Sequence, residues 1–287
     1  MKKRFLATAV MAAIMAWGAI VNAGNQNIRW TVHNLSSTLP AGATLDRHWY
    51  SDSSANGGTD QVCIFCHTPH HAQPAQPLWN KVNPTQAFNM YTSSSTLSSV
   101  ARKATAPGPE SLLCLSCHDG RTAINVIHNG DVGADALPAD GGRKVINMSG
   151  WGGYNAENPN HQALAMEITL FGTPYRANLG KTGTDGDARF AGTNLMDDHP
   201  ISFSYAAAQS EKGSAVLNSI ESAKSAGLRF FGPNRDRMEC STCHDPHVDS
   251  GLGYDGLPTG SGGNNALRPF LVRDNVGSAM CLACHNK

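Results

Sequence analysis

The sequence predicts a chain that is mostly coil, with short α-helices and few strands, organised around covalently bound groups instead of one large apolar core. Three observations predict this. Charged residues make up only 15% of the 287 residues, while Gly (29) and Pro (15) recur throughout, a loop-forming composition. Long apolar segments of helical or strand periodicity are scarce, so little of the chain can build a conventional core. Finally, all eight cysteines fall in a single short pattern.

The first residues set the compartment. Met1-Lys2-Lys3-Arg4 leads into an apolar run from Phe5 to Val21, followed by Asn22 and Ala23. A basic start, an apolar stretch and small residues at the end predict a cleavable secretory signal over residues 1–23. The alternative is an uncleaved anchor, for which the run sits at the lower limit of a bilayer span. No later stretch is apolar for long enough, so no membrane span is expected in the mature chain. Removing Lys2, Lys3 and Arg4 leaves 19 basic residues against 22 acidic ones. That balance speaks against nucleic acid as a partner, which needs a clustered basic surface.

The cysteines read Cys63/Cys66/His67, Cys114/Cys117/His118, Cys240/Cys243/His244 and Cys281/Cys284/His285. C-x-x-C-H is the spacing of covalent c-type haem attachment. Two thioethers tether the porphyrin edge, and the adjoining histidine reaches the iron as proximal ligand. Four disulfides would suit an exported chain, but they do not explain a histidine after every pair. Zinc would need pairs of C-x-x-C units at short, regular separations; here the gaps are long and unequal. The expected cofactor is therefore four haem c, with proximal His67, His118, His244 and His285. Apolar neighbours of the motifs (Ile64, Phe65, Leu112, Leu113, Leu115, Met280 and Leu282) are expected to pack on the haems.

The second axial ligand decides the chemistry: a second histidine closes the iron for electron transfer, and an empty position permits catalysis. Eight further histidines are available: His33, His48, His70, His71, His128, His161, His199 and His247. "CHTPH" and "CHDPH" place His70 and His247 three residues after a proximal histidine. The axial ligands of one iron lie on opposite faces of the porphyrin, so neither closes its own motif's iron. Each is expected to reach a neighbour's, with Pro69 and Pro246 stiffening the segment. His71 competes with His70. His33 and His199 each precede a change from polar turn residues to a mixed or apolar stretch, and on spacing alone either is as well read as a surface histidine. His48 reads as a packing residue beside Trp49 and Tyr50, His128 as a turn after a short strand, and His161 as a helix-start residue. Met238 and Met280 lie too near their own cysteines to reach across a haem, and Met148, Met166 and Met196 read as packing residues.

The stretches "VHNLSS", "CIFCHTPHHAQPAQPLWN", "SLLCLSCHDG", "DDHPISFSY", "ECSTCHDPH" and "LVRDNVGSAMCLACHNK" together resemble the doubled-CXXCH multihaem cytochromes c. Within that family the chain is similar to the tetrahaem outer-surface cytochromes that polymerise into extracellular filaments. The likeness runs from about His33 to the C-terminus and is poor between Val126 and Asn194. It implies bis-histidine haems with distal ligands at His33, His70, His199 and His247, one of which acts across a subunit boundary. It also implies a homopolymer whose partners are other multihaem cytochromes or extracellular electron acceptors.

Along the chain the expected organisation is a signal (1–23), an N-terminal arm with two haems (24–125), a region without haem motifs (126–238) and a C-terminal pair of haems (239–287). A helix is expected from Ser210 to Gly227, and short helices at the motifs. The leading function is a non-enzymatic electron carrier outside the cell or at its surface, with a filament subunit as its specific form. A soluble periplasmic shuttle and a multihaem oxyanion reductase are the rival readings.

Overall fold

The computed structural model describes residues 27–31, 33–38, 49–70, 78–119, 124–130, 137–138, 144–150, 194–196, 198–249 and 263–286. The signal segment, His48, His71, His161 and Met166 lie outside the described residues. Local rules account for the helices. α1 (Ser99–Arg102) starts where the Ser98 side chain accepts from the Ala101 N–H. α2 (Pro109–His118) has Pro109 in its first turn, where a missing N–H costs nothing. α3 (Tyr205–Lys212) and α4 (Ile220–Ser225) are capped by Ser204 and Ser219, whose side chains accept from Ala207 and Ser222 N–H groups. α5 (Cys240–Cys243) carries a reciprocal capping box between Glu239 and Thr242. α6 (Ala279–Cys284) closes the series.

Two expectations need correction. The single helix from Ser210 to Gly227 is two helices, α3 and α4. Gly213 ends the first at φ +79, and its carbonyl then accepts from Val216 and Leu217 N–H groups in a tight turn. Helices also occur at three motifs, not four. The Cys63–His67 motif is a turn, closed by Cys66 and His67 N–H groups on the Cys63 carbonyl (3.1 and 2.7 Å).

The strands are two or three residues long and tie distant segments together. β1 (Trp49–Ser51) pairs antiparallel with β6 (Met148–Gly150). β2 (Asn89–Met90) runs parallel to β7 (Asn194–Leu195). β3 (Val126–Ile127) and β4 (Leu137–Pro138) flank β5 (Lys144–Val145). β8 (Phe203–Ser204) pairs with β9 (Arg237–Met238). Two strands of the haem-motif-free stretch, β6 and β7, thus pair with strands of the N-terminal region, β1 and β2. No helix among the described residues is long and apolar enough to cross a membrane.

Among the described residues, apolar burial is split into three small clusters. One gathers Phe203, Tyr205, Ala223, Leu228, Phe230, Met238 and Cys284. A second joins Ile64, Phe65, Ile124, Ile127, Ile146 and Met148, with Cys66 and Cys117 packed against it. The third holds Phe88, Met90, Leu115 and Leu195. Ile64, Phe65 and Leu115 are therefore protein core at 5%, 1% and 0% exposure, whereas Leu282 stays 45% exposed. Met148 is buried as expected, but Met196 is 43% exposed and is not a packing residue.

Candidate metal centres

All eight cysteines lie in the described residues and none is in a disulfide. Successive motifs adjoin in space. The Cys66 thiol is pushed up to about 12, first by burial and then by the neighbouring Cys117 sulfur. Burial and then Cys284 do the same to Cys243, also to about 12. Cys114 and Cys240 share a hydrogen bond, which raises the first thiol. Motif one thus lies beside two, two beside three, and three beside four. Thiols raised in this way, Cys66, Cys114 and Cys243, are poor thiolate nucleophiles, whereas the same hydrogen bond with Cys114 lowers Cys240.

Each contact is held by polar groups buried beside it. At the first junction the Lys81 ammonium, 1% exposed, donates to the Ile124 and Val126 carbonyls (2.5 and 2.8 Å). At the second, the Glu239 carboxylate, 1% exposed, accepts from Ser111 Oγ (2.5 Å), Ser202 Oγ (2.9 Å) and Arg237 Nε (3.2 Å). A side chain at position 108 would collide with that carboxylate, which explains Gly108. At the third, the Tyr205 hydroxyl donates toward the Asn218 and Cys284 carbonyls (2.8 and 3.0 Å).

The histidines form pairs that join far-apart parts of the sequence. His33 faces His118 with ring centres 6.1 Å apart. His247 faces His67 at 6.2 Å, with planes 18° apart. His199 faces His285 at 6.4 Å. Two imidazoles bound through nitrogen on opposite sides of one metal, at about 2.0 Å each, have their ring centres separated by about 6 Å. The three pairs have that spacing, and each joins a motif histidine to one of the predicted distal residues. Rotation of the ring planes about the shared axis leaves this spacing unchanged, so the larger interplanar angles of 63° and 70° in the other two pairs are compatible with it. Among the described residues no group of three or more His, Cys, Asp or Glu side chains could hold a metal ion. A porphyrin asks the protein for two axial ligands only, and the paired rings fit that demand.

His247 does not approach His244, its near neighbour in sequence. Its ring Nδ1 sits 2.8 Å from Asp245 Oδ1, and the same oxygen accepts from the His247 backbone N–H at 3.0 Å. Arg229 lies 3.1 Å from the other Asp245 oxygen. These contacts, the His247 hydrogen bond foremost, hold the Asp245 carboxyl down at about 2. His199 and His244 instead direct Nδ1 at the carbonyls of Pro200 and Pro269 (2.8 and 2.9 Å). Fixing Nδ1 in this way leaves the opposite nitrogen for a metal.

His70 and His244 stand apart. Both are exposed, and among the described residues neither ring meets another aromatic or histidine ring. The His70 carbonyl accepts from Thr68 Oγ1 (2.7 Å) and Asn129 Nδ2 (2.8 Å), which fixes its backbone. His128 follows β3, as the turn reading expects, and its N–H donates to the Asn80 carbonyl at 2.8 Å.

Sequence reasoning missed Asp245, Phe270 and Trp79. Phe270 adopts φ +57, unusual for a bulky residue, and packs at 4.7 Å on His33; Trp79 packs at 5.8 Å on His67. Nothing local marks the two aromatics. Asp245 had a visible signal: it fills the variable position of C-H-x-P-H, where the twin stretch has Thr68. No family model matches the chain, and no curated protein matches it.

Proposed function

We propose that the chain is a tetrahaem c-type cytochrome that carries electrons through bis-histidine haems, secreted from the cell, and that it polymerises into an extracellular filament. The observation that carries this reading is the set of three histidine pairs at 6.1, 6.2 and 6.4 Å, each pairing a motif histidine with one from another segment. When bound, the haems would supply one-electron iron centres whose potentials depend on axial ligands, hydrogen bonds and burial.

The chain's own residues do the rest. Cys63/Cys66, Cys114/Cys117, Cys240/Cys243 and Cys281/Cys284 would tether, and His67, His118, His244 and His285 would ligate. His247, His33 and His199 would close the first, second and fourth irons, excluding substrate from them. The contacts between successive motifs support a path in sequence order, one to four. Among the described residues no second imidazole faces the His244 ring, and His70 is exposed; both support completion of the third site across a subunit boundary, with His70 of one copy closing the His244 site of the next.

The test is the secreted protein. Four haems per chain by mass and haem assay, low-spin signals throughout in assembled material, and filaments in sheared extracellular fractions are expected. Fewer than four haems would overturn the reading; absence of filaments under expressing conditions would favour a soluble periplasmic shuttle.

The exposed His244 also favours a second reading, in which its iron stays open for a small oxyanion. Turnover of nitrite, hydroxylamine or tetrathionate with a reduced dye would select that reading. A high-spin signal in monomers that disappears on assembly, without turnover, would select the filament.

A further inference from the structure

We infer that Asp245 is a positioning residue that fixes the ring of His247 and makes the His67/His247 iron easier to oxidise than it would be without that carboxylate. The inference rests on the bis-histidine reading above and deepens it.

Three observations carry it. The Asp245 carboxylate is 5% exposed and meets His247 twice, at Nδ1 (2.8 Å) and at the backbone N–H (3.0 Å). Arg229 holds its second oxygen at 3.1 Å, so the carboxylate cannot rotate away without breaking an ion pair. The comparable rings of His199 and His244 have only neutral carbonyls at Nδ1. The corresponding position after the first motif is Thr68, whose hydroxyl is turned to the His70 carbonyl. Among the histidines whose Nδ1 partner is described, His247 alone has an anion behind it.

The physical consequence has a definite sign. A carboxylate accepting from Nδ1–H pulls that proton toward itself and raises the electron density that the opposite nitrogen offers a metal. The ferric ion is the more positive member of the one-electron couple and gains more from that density. The ferric state is therefore favoured, one electron leaves more readily, and no proton need be exchanged. The same contact fixes the tautomer, so the ring is in place before a metal binds.

The experiment is spectroelectrochemistry and low-temperature EPR on the full-length, haem-loaded protein and two variants. Asp245→Asn keeps an acceptor oxygen for both bonds and removes the charge. The ferric-to-ferrous ratio of one haem, poised at its own midpoint, is expected to fall about tenfold, equivalent to about 59 mV for a one-electron couple. That haem stays low-spin and carries the signal of near-parallel imidazole planes. Arg229→Gln removes the counter-charge from an exposed side chain, and the same haem is expected to shift the opposite way. Unchanged midpoints in both variants, or shifts on a haem with crossed planes, would overturn the inference. If Asp245→Asn is not matured, Arg229→Gln decides alone: a lowered midpoint potential (a higher ferric-to-ferrous ratio) on the near-parallel haem supports the inference, and no shift overturns it. Failure of the electron-carrier reading looks different, because the unmutated protein would then lack four haems or show no low-spin pair.

Discussion

Replacing His247 by alanine separates crossed ligation from local ligation. His247 lies three residues from His244 in sequence, yet its ring faces His67 at 6.2 Å with planes 18° apart. Alanine removes that ring and leaves the His244 ring, bonded to the Pro269 carbonyl at 2.9 Å, untouched. With four attachment motifs in the chain, one quarter of the haem is expected to lose its second axial ligand. In oxidised, assembled protein the EPR spectrum would show that quarter moving from low to high spin. The signal lost is the rhombic one that near-parallel rings produce, while the two signals from crossed planes remain. Added imidazole should restore it, because the ring and not the backbone was removed. The fold loses one hydrogen bond to a charged acceptor, about 1.5–3 kcal/mol, while Asp245 keeps Arg229 and the backbone N–H of residue 247. A spin change at the haem on His244, or no spin change at all, would refute the crossed arrangement.

Other consequences are as direct. His70→Ala is expected to leave the His244 haem high-spin and to abolish filaments, while the isolated subunit keeps its three internal pairs; EPR and negative-stain microscopy of the same preparation check both. Glu239→Ala removes the acceptor for Ser111, Ser202 and Arg237 at a fully buried site. It should cost about 3–5 kcal/mol, seen as a lowered midpoint in thermal unfolding followed by circular dichroism. Acid should act through Asp245, whose folded value of about 2 lies below its ordinary 3.8. Its contribution, about 2 kcal/mol, is present above about pH 4 and lost as pH falls toward 2; Asp245→Asn should flatten that limb of a stability–pH curve. Tyr205→Phe removes a buried hydroxyl that donates at 2.8 and 3.0 Å. It should destabilise by about 1–3 kcal/mol by the same thermal measurement.

Much of the candidate site was legible before any coordinates. The regular C-x-x-C-H spacing named eight cysteines and four histidines, because attachment chemistry demands residues that are adjacent in the chain. The opposite-face argument placed His247 away from His244, and the structure has it facing His67. The caps were not read: Ser204 and Ser219 start their helices by accepting from the backbone N–H three residues on. The break at Gly213 was not read, because a helical pattern on either side of a left-handed glycine looks continuous when its φ is unknown.

What the sequence by itself determined is the local pattern: four C-x-x-C-H motifs, a turn-rich composition and eight further histidines. All of these depend on residues within a few positions of one another. Only the tertiary structure decided which distal histidine meets which motif, that motifs adjoin in order, that Ile64 and Leu115 serve the protein core, and that Asp245 stands behind one ring. All but the last are contacts between segments tens to hundreds of residues apart. They follow from how three small clusters and a handful of two-residue strands pack, which no local spacing encodes.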